Sequence, residues 1–159
     1  MKTDRNGSQL RVTLDGSIGE TTQLFSIPLA GITELVVDMS TVTYINSIGV
    51  RHWILWTVKV PLACKVKLEN CPFVIVSQAS TVLGFVTPNM SIDSFRMPYT
   101  CESCHYEGYV SAKRSKDYEY STPTTPKRTN VPPKLECPKC HKPTFVPDFL
   151  FDKTFKFLT

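Results

Sequence analysis

No apolar segment of this 159-residue chain is long enough to cross a bilayer. The most apolar stretch, WILWTVKV from Trp53 to Val60, is short and interrupted by Thr57 and Lys59. The first ten residues, MKTDRNGSQL, carry charges with no apolar run behind them, so they do not read as a secretory signal, and a cytoplasmic protein is expected. No internal repeat is visible. Charge of either sign is in short supply too, with a net +4 overall. Residues 1–100 hold eight Lys and Arg against seven Asp and Glu, and residues 101–159 hold ten against seven. So small an excess does not by itself argue for nucleic-acid binding. Of the three histidines, one sits in a helix-like segment and two directly follow cysteines. With no nucleophile beside a base and no paired carboxylates, the expectation is a protein that is not an enzyme.

What the chain does have is six cysteines, four of them in two C-x-x-C pairs: Cys101 with Cys104, and Cys137 with Cys140. Each C-x-x-C turn brings two thiolates toward one ion, and two turns complete a tetrahedral four-thiolate site suited to a structural zinc ion. Iron in a rubredoxin-like site is the alternative metal. A redox pair would need a βαβ surround that neither motif has. Four protein ligands leave no open position for water, so no catalysis is expected at the metal. His105 and His141 are expected beside the site or exposed, and Cys64 and Cys71 as buried packing.

Ahead of Tyr99 the apolar pattern alternates between two periods. QLRVTL places Leu10, Val12 and Leu14 on one face, ELVVDM suits a buried strand, and CKVKLENC puts Val66 and Leu68 on one side. A short helix is expected between Thr21 and Pro28. After TVTYI, the segment NSIGVRHWILWTVKV has Val50, Trp53, Ile54 and Thr57 at i, i+3, i+4 and i+7, the stripe of an amphipathic helix that Pro61 ends. A second helix is expected after Pro72, and MSIDSFRM as a last strand running into Cys101. The rhythm is that of an α/β domain over 1–98, followed by a four-cysteine module over 99–159. Within that module, residues 111–134 are rich in Ser, Thr, Pro, Lys and Arg without apolar period, and read as a mobile loop. The tail FVPDFLFDKTFKFLT fits either a strand or one helical face, and is expected to pack the metal module onto the α/β domain or onto a second copy of the chain, as in a homodimer.

One stretch carries a family likeness. VVDMSTVTYINSIGVRHWI resembles the central motif of STAS domains, the fold of bacterial anti-sigma factor antagonists. Asp38, Met39 and Ser40 match the family's Asp-Leu-Ser, and Asn46, Ser47, Ile48, Gly49 and Val50 match its Asp-Ser-Ser-Gly-Leu. The likeness spans roughly residues 9–96 and is specific around 35–50. It implies an α/β fold with a STAS-like sheet and packed helices, here joined to a small C-terminal zinc ribbon. It also implies a regulatory or scaffolding protein acting through a protein partner such as an anti-sigma factor or kinase-like protein. In the family the serine aligned with Ser47 is phosphorylated; here Asn46 replaces the acidic residue before it and Ile48 the residue after it. A helix N-terminus tolerates a phosphate, and Asn46 is a good cap. Asn46, Val50, Arg51 and Trp56 are the expected partner surface. The alternative is a nucleic-acid-binding adaptor using the ribbon and Lys113, Arg114, Lys116, Lys127 and Arg128.

Overall fold

The computed structural model describes all 159 residues as a mixed α/β structure. Five strands form one sheet in the order β1 (Lys2–Asn6), β2 (Gln9–Ile18), β3 (Glu34–Ile45), β4 (Lys65–Glu69), β5 (Met90–Ile92). The first pair is antiparallel and the other three are parallel. Because the parallel strands advance in one direction, right-handed crossovers bring their connections to one face. Those connections are a single 3-10 turn at Leu24–Ser26, then α1 (Ser47–Thr57) and α2 (Phe73–Thr81). The short helix expected from Thr21 is thus only one turn.

Register explains why this face closes. Leu10, Leu35, Val66 and Met90 lie side by side across four strands, and Val12, Val37, Leu68 and Ile92 form the next row. All eight are buried. Residues pointing the other way are polar apart from Val36, and they pair across strands: Arg11 donates to Asp38 at 2.9 Å and Glu69 at 2.8 Å, and Lys67 to Glu34 at 2.6 Å. A mostly parallel sheet with one face left to solvent is uncommon. Here the cross-strand ion pairs satisfy that face.

The first turn of α1 is seated by Gly49. A Cβ at this position would lie 2.1 Å from the Ile18 carbonyl oxygen, so only glycine lets the helix approach the end of β2 so closely. The buried stripe runs through Gly49, Trp53, Trp56 and Val60, with Thr57 beside it. Val50 and Ile54 are only half-buried. The helix is therefore rotated relative to the expected stripe, and Trp56 packs at 5.0 Å from the Trp53 ring instead of facing a partner.

Only Asp93 separates β5 from β6 (Ser94–Cys101), which pairs antiparallel with β7 (Glu107–Lys113) on one side and β10 (Phe145–Pro147) on the other. Residues 98 and 99, where the composition changes, lie inside β6. The strand joins the two halves through Cys71, whose amide donates to the Ser94 carbonyl and whose carbonyl accepts from Arg96. A small hairpin follows, β8 (Tyr118–Glu119) with β9 (Arg128–Thr129). The segment 111–134 is therefore not loop at its start: Ala112 ends up inside, and Tyr118 is fully buried. The Tyr118 hydroxyl donates to the Ile92 carbonyl at 2.7 Å, and the Tyr120 hydroxyl accepts from the Ile92 amide at 2.7 Å. Together they cap the open edge of β5. Burial pushes both hydroxyls above the usual tyrosine range, which keeps them protonated.

The tail is helical, with α3 (Phe151–Thr154) running into a 3-10 turn at Phe155–Leu158. Phe155 and Phe157 wedge against Phe95, and the Leu158 carbonyl accepts from the Ser121 amide. Packing within the chain thus joins the four-cysteine half to the α/β half in a single cluster of 35 buried residues. No helix is long and apolar enough to cross a membrane.

Candidate metal centre and helix surface

The two C-x-x-C turns are built alike and meet face to face. In the first, the His105 amide donates to the Cys101 carbonyl at 2.9 Å and the Cys101 amide to the Tyr106 carbonyl at 2.8 Å. In the second, His141 donates to Cys137 at 2.9 Å and Cys137 to Lys142 at 2.9 Å. His105 and His141 both take positive φ, 55° and 57°, to close these turns. Their place after the second cysteine is therefore a backbone role. Both side chains are exposed, and His141 meets Glu136 at 3.1 Å.

Strand pairing sets the turns together, because Cys101 at the end of β6 lies opposite Phe145 of β10. All four Sγ atoms fall within 4.8 Å of one another. Cys101 and Cys140 are 3.6 Å apart, and Cys104 and Cys137 3.7 Å. A tetrahedron of thiolates at about 2.3 Å from a central ion has edges of about 3.8 Å. The four sulfurs therefore fit a metal ion. Cys101 and Cys137 are buried, and Cys104 and Cys140 half-buried.

Two supporting contacts lie outside the ligand set. The Thr144 hydroxyl lies 3.3 Å from Cys101 Sγ and 2.9 Å from Ser103 Oγ, and the Lys139 amide donates to Cys137 Sγ at 3.4 Å. Thr144 draws the Cys101 thiol down, while burial pushes Cys104 up. A bound dication would bring all four to thiolate. Spacing could not have singled out Thr144, which reaches the site only because β10 pairs with β6. Cys64 and Cys71 are buried, and burial raises both thiols, Cys71 out of the range of a reactive cysteine.

Asn46 caps α1, its Oδ1 accepting from the Gly49 amide at 2.7 Å. Ser47 is the first helical residue and is exposed, and its hydroxyl makes no hydrogen bond within the chain. Of the expected surface residues, Arg51 is exposed and Asn46 and Val50 are half-buried, whereas Trp56 is 1% exposed and cannot contact a partner. The apolar residues on the outward side are Ile48, Leu55 and Val58. Among the basic residues after β6, Arg114 pairs with Glu119 at 2.7 Å, Lys127 donates to the Phe155 carbonyl at 3.4 Å and Arg128 to the Ser115 carbonyl at 3.1 Å. Lys113 and Lys116 are exposed.

Comparison with protein families, with curated proteins and with solved structures gives no match to this chain.

Proposed function

We propose that this chain is a non-enzymatic regulatory or scaffolding protein of the cytoplasm, in which a STAS-like α/β half contacts a protein partner and a structural zinc ion braces the other half. The observation that carries the reading is the outward side of α1. Ile48, Leu55 and Val58 lie there uncovered beside Arg51, directly after an exposed Ser47 at the helix start. Apolar residues around an arginine on a rigid helix are what an interface needs. The one-directional strand order with helices on one face is compatible with a STAS-like fold. Zinc is the ion best suited to four buried or half-buried thiolates with no open position.

Affinity capture from the native cytosol tests the partner role. A protein recovered by the wild type and lost with Leu55→Asp or Val58→Asp supports it. Captures that are identical for all three chains contradict it. Phosphorylation of Ser47 is the proposed switch, and mass spectrometry of protein from its own cell reads it directly. Elemental analysis should find one zinc per chain, and a visible thiolate-to-iron absorption would replace zinc by iron.

A further inference from the structure

We propose that the groove along the open edge of β5 binds a small anionic amphiphile, an apolar body bearing one carboxylate or phosphate group. The groove consists of two adjoining clefts, of about 740 and 570 Å³, which share Pro88, Met90 and Tyr120. Each is of a size that holds a drug-sized molecule. Leu62, Ala63 and Tyr120 give the larger cleft its apolar surface, over the buried Val66 and Met90, and Val82 and Val86 do so in the smaller, over the buried Phe157. Leu62 and Leu83 stand at the two lips, 77% and 98% exposed. Such exposure of large apolar side chains beside a concavity is what a ligand would cover.

Charge selects the ligand. The larger cleft is lined by Lys65, Lys67 and Arg114, the smaller by Lys156, and no acidic side chain lines either. Lys67 is held from the β3 side by Glu34, and Arg114 by Glu119 at 2.7 Å and Asp93 at 3.7 Å with its guanidinium 4.9 Å over the Tyr120 ring. Lys65 stands opposite Glu34 in the strand register but makes no close ion pair, so its ammonium is the cation of this wall left free to meet a ligand. The head group therefore belongs beside Lys65, and the apolar body along Met90 and Tyr120 toward Val86. One free cation in the larger cleft, with Lys156 lining only the smaller one, suits one anionic group and not a polyphosphate. An added peptide strand is disfavoured, because the Ile92 amide and carbonyl on this edge are already taken by Tyr120 and Tyr118.

The probes are monomeric decanoate and decyl phosphate below their micelle concentrations, titrated against the full chain while the Met90 methyl resonance is followed. Decanol and decyltrimethylammonium are the neutral and cationic controls. Both anions should shift Met90 and bind at least tenfold more tightly than either control. Lys65→Glu should weaken them at least tenfold with the melting temperature unchanged, Lys65→Gln should weaken them less, and Lys2→Glu, on the far edge of the sheet, should not weaken them. Equal binding of decanol and decanoate overturns the proposal, as does equal weakening by Lys65→Glu and Lys2→Glu. Vesicles of phosphatidylglycerol separate a lipid surface from a free amphiphile: binding to vesicles without any Met90 response to monomeric decanoate also overturns it.

Discussion

From Gln9 to Ile92 the chain is held by rows of aliphatic side chains in register across four strands, under two helices. From Cys101 to Phe145 it is held by short strands, two tight turns and four thiols. Alternate residues in the paired stretches of its strands contribute to one apolar layer, so its stability is spread over many sites. In the second, the strands expose alternate residues with little to cover them, and the ligand cluster stands in for a core. The regions also fail differently: removing one aliphatic residue weakens the first by degrees, whereas removing one ligand takes away the second region's main support.

The largest expected effect follows from that contrast. Structural zinc sites contribute about 10–16 kcal/mol of apparent binding free energy to the folding of small modules. Cys137→Ser, or a strong chelator, should abolish metal content and remove hydrogen-exchange protection from β7, β10 and the Cys101 end of β6. The amides of Val12, Val37 and Leu68 should stay protected. If protection is lost uniformly, the contrast between the regions is wrong and the metal supports the whole molecule. Leu68→Ala is the converse experiment. It should cost about 2–5 kcal/mol in denaturant unfolding, as large-to-small changes in a closed core do, with metal content unchanged.

Much of the first region was legible because its signals are local. Leu10, Val12 and Leu14, or Val66 and Leu68, announce strands by period two, and the C-x-x-C spacing announces the ligands without any fold. β1 gave no such signal, since Lys2–Asn6 is exposed at every position and pairs only through its backbone. Trp56 was misplaced because Val50, Ile54 and Thr57 suggested one stripe, while the close approach at Gly49 rotates the helix toward another. The surroundings of Tyr118 and Thr144 depend on partners 26 and 43 residues away, which no local period encodes.

Tyr118 is where the two regions meet, so it measures how far they depend on one another. Tyr118→Phe keeps the ring against Phe95 and Phe157 but removes the short hydrogen bond to the Ile92 carbonyl, leaving it only the Tyr120 hydroxyl at 3.5 Å. Losing one hydrogen bond of this kind costs about 0.5–1.5 kcal/mol. Denaturant unfolding should show a loss in that range, together with faster exchange at the amides of the 118–120 segment. A loss confined to the metal half would show that the tyrosine clasp serves only the ribbon; a loss shared by β5 would show that it couples the two.

The smallest stability effect is the one that isolates function. Asn46, not Ser47, caps α1, so Asn46→Ala should cost about 0.5–2 kcal/mol, the ordinary value of a lost cap. Ser47→Ala removes a hydroxyl that bonds to nothing in the chain and should change stability by no more than about 0.5 kcal/mol. Ser47→Asp puts a negative charge at the positive end of the helix dipole and should be neutral or slightly stabilising. A difference in partner binding between the Asp and Ala variants therefore cannot be a folding effect and must come from charge at the outward end of α1. If both variants bind the captured partner as the wild type does, the serine is no switch. The apolar strip of Ile48, Leu55 and Val58 would then act as a constitutive contact.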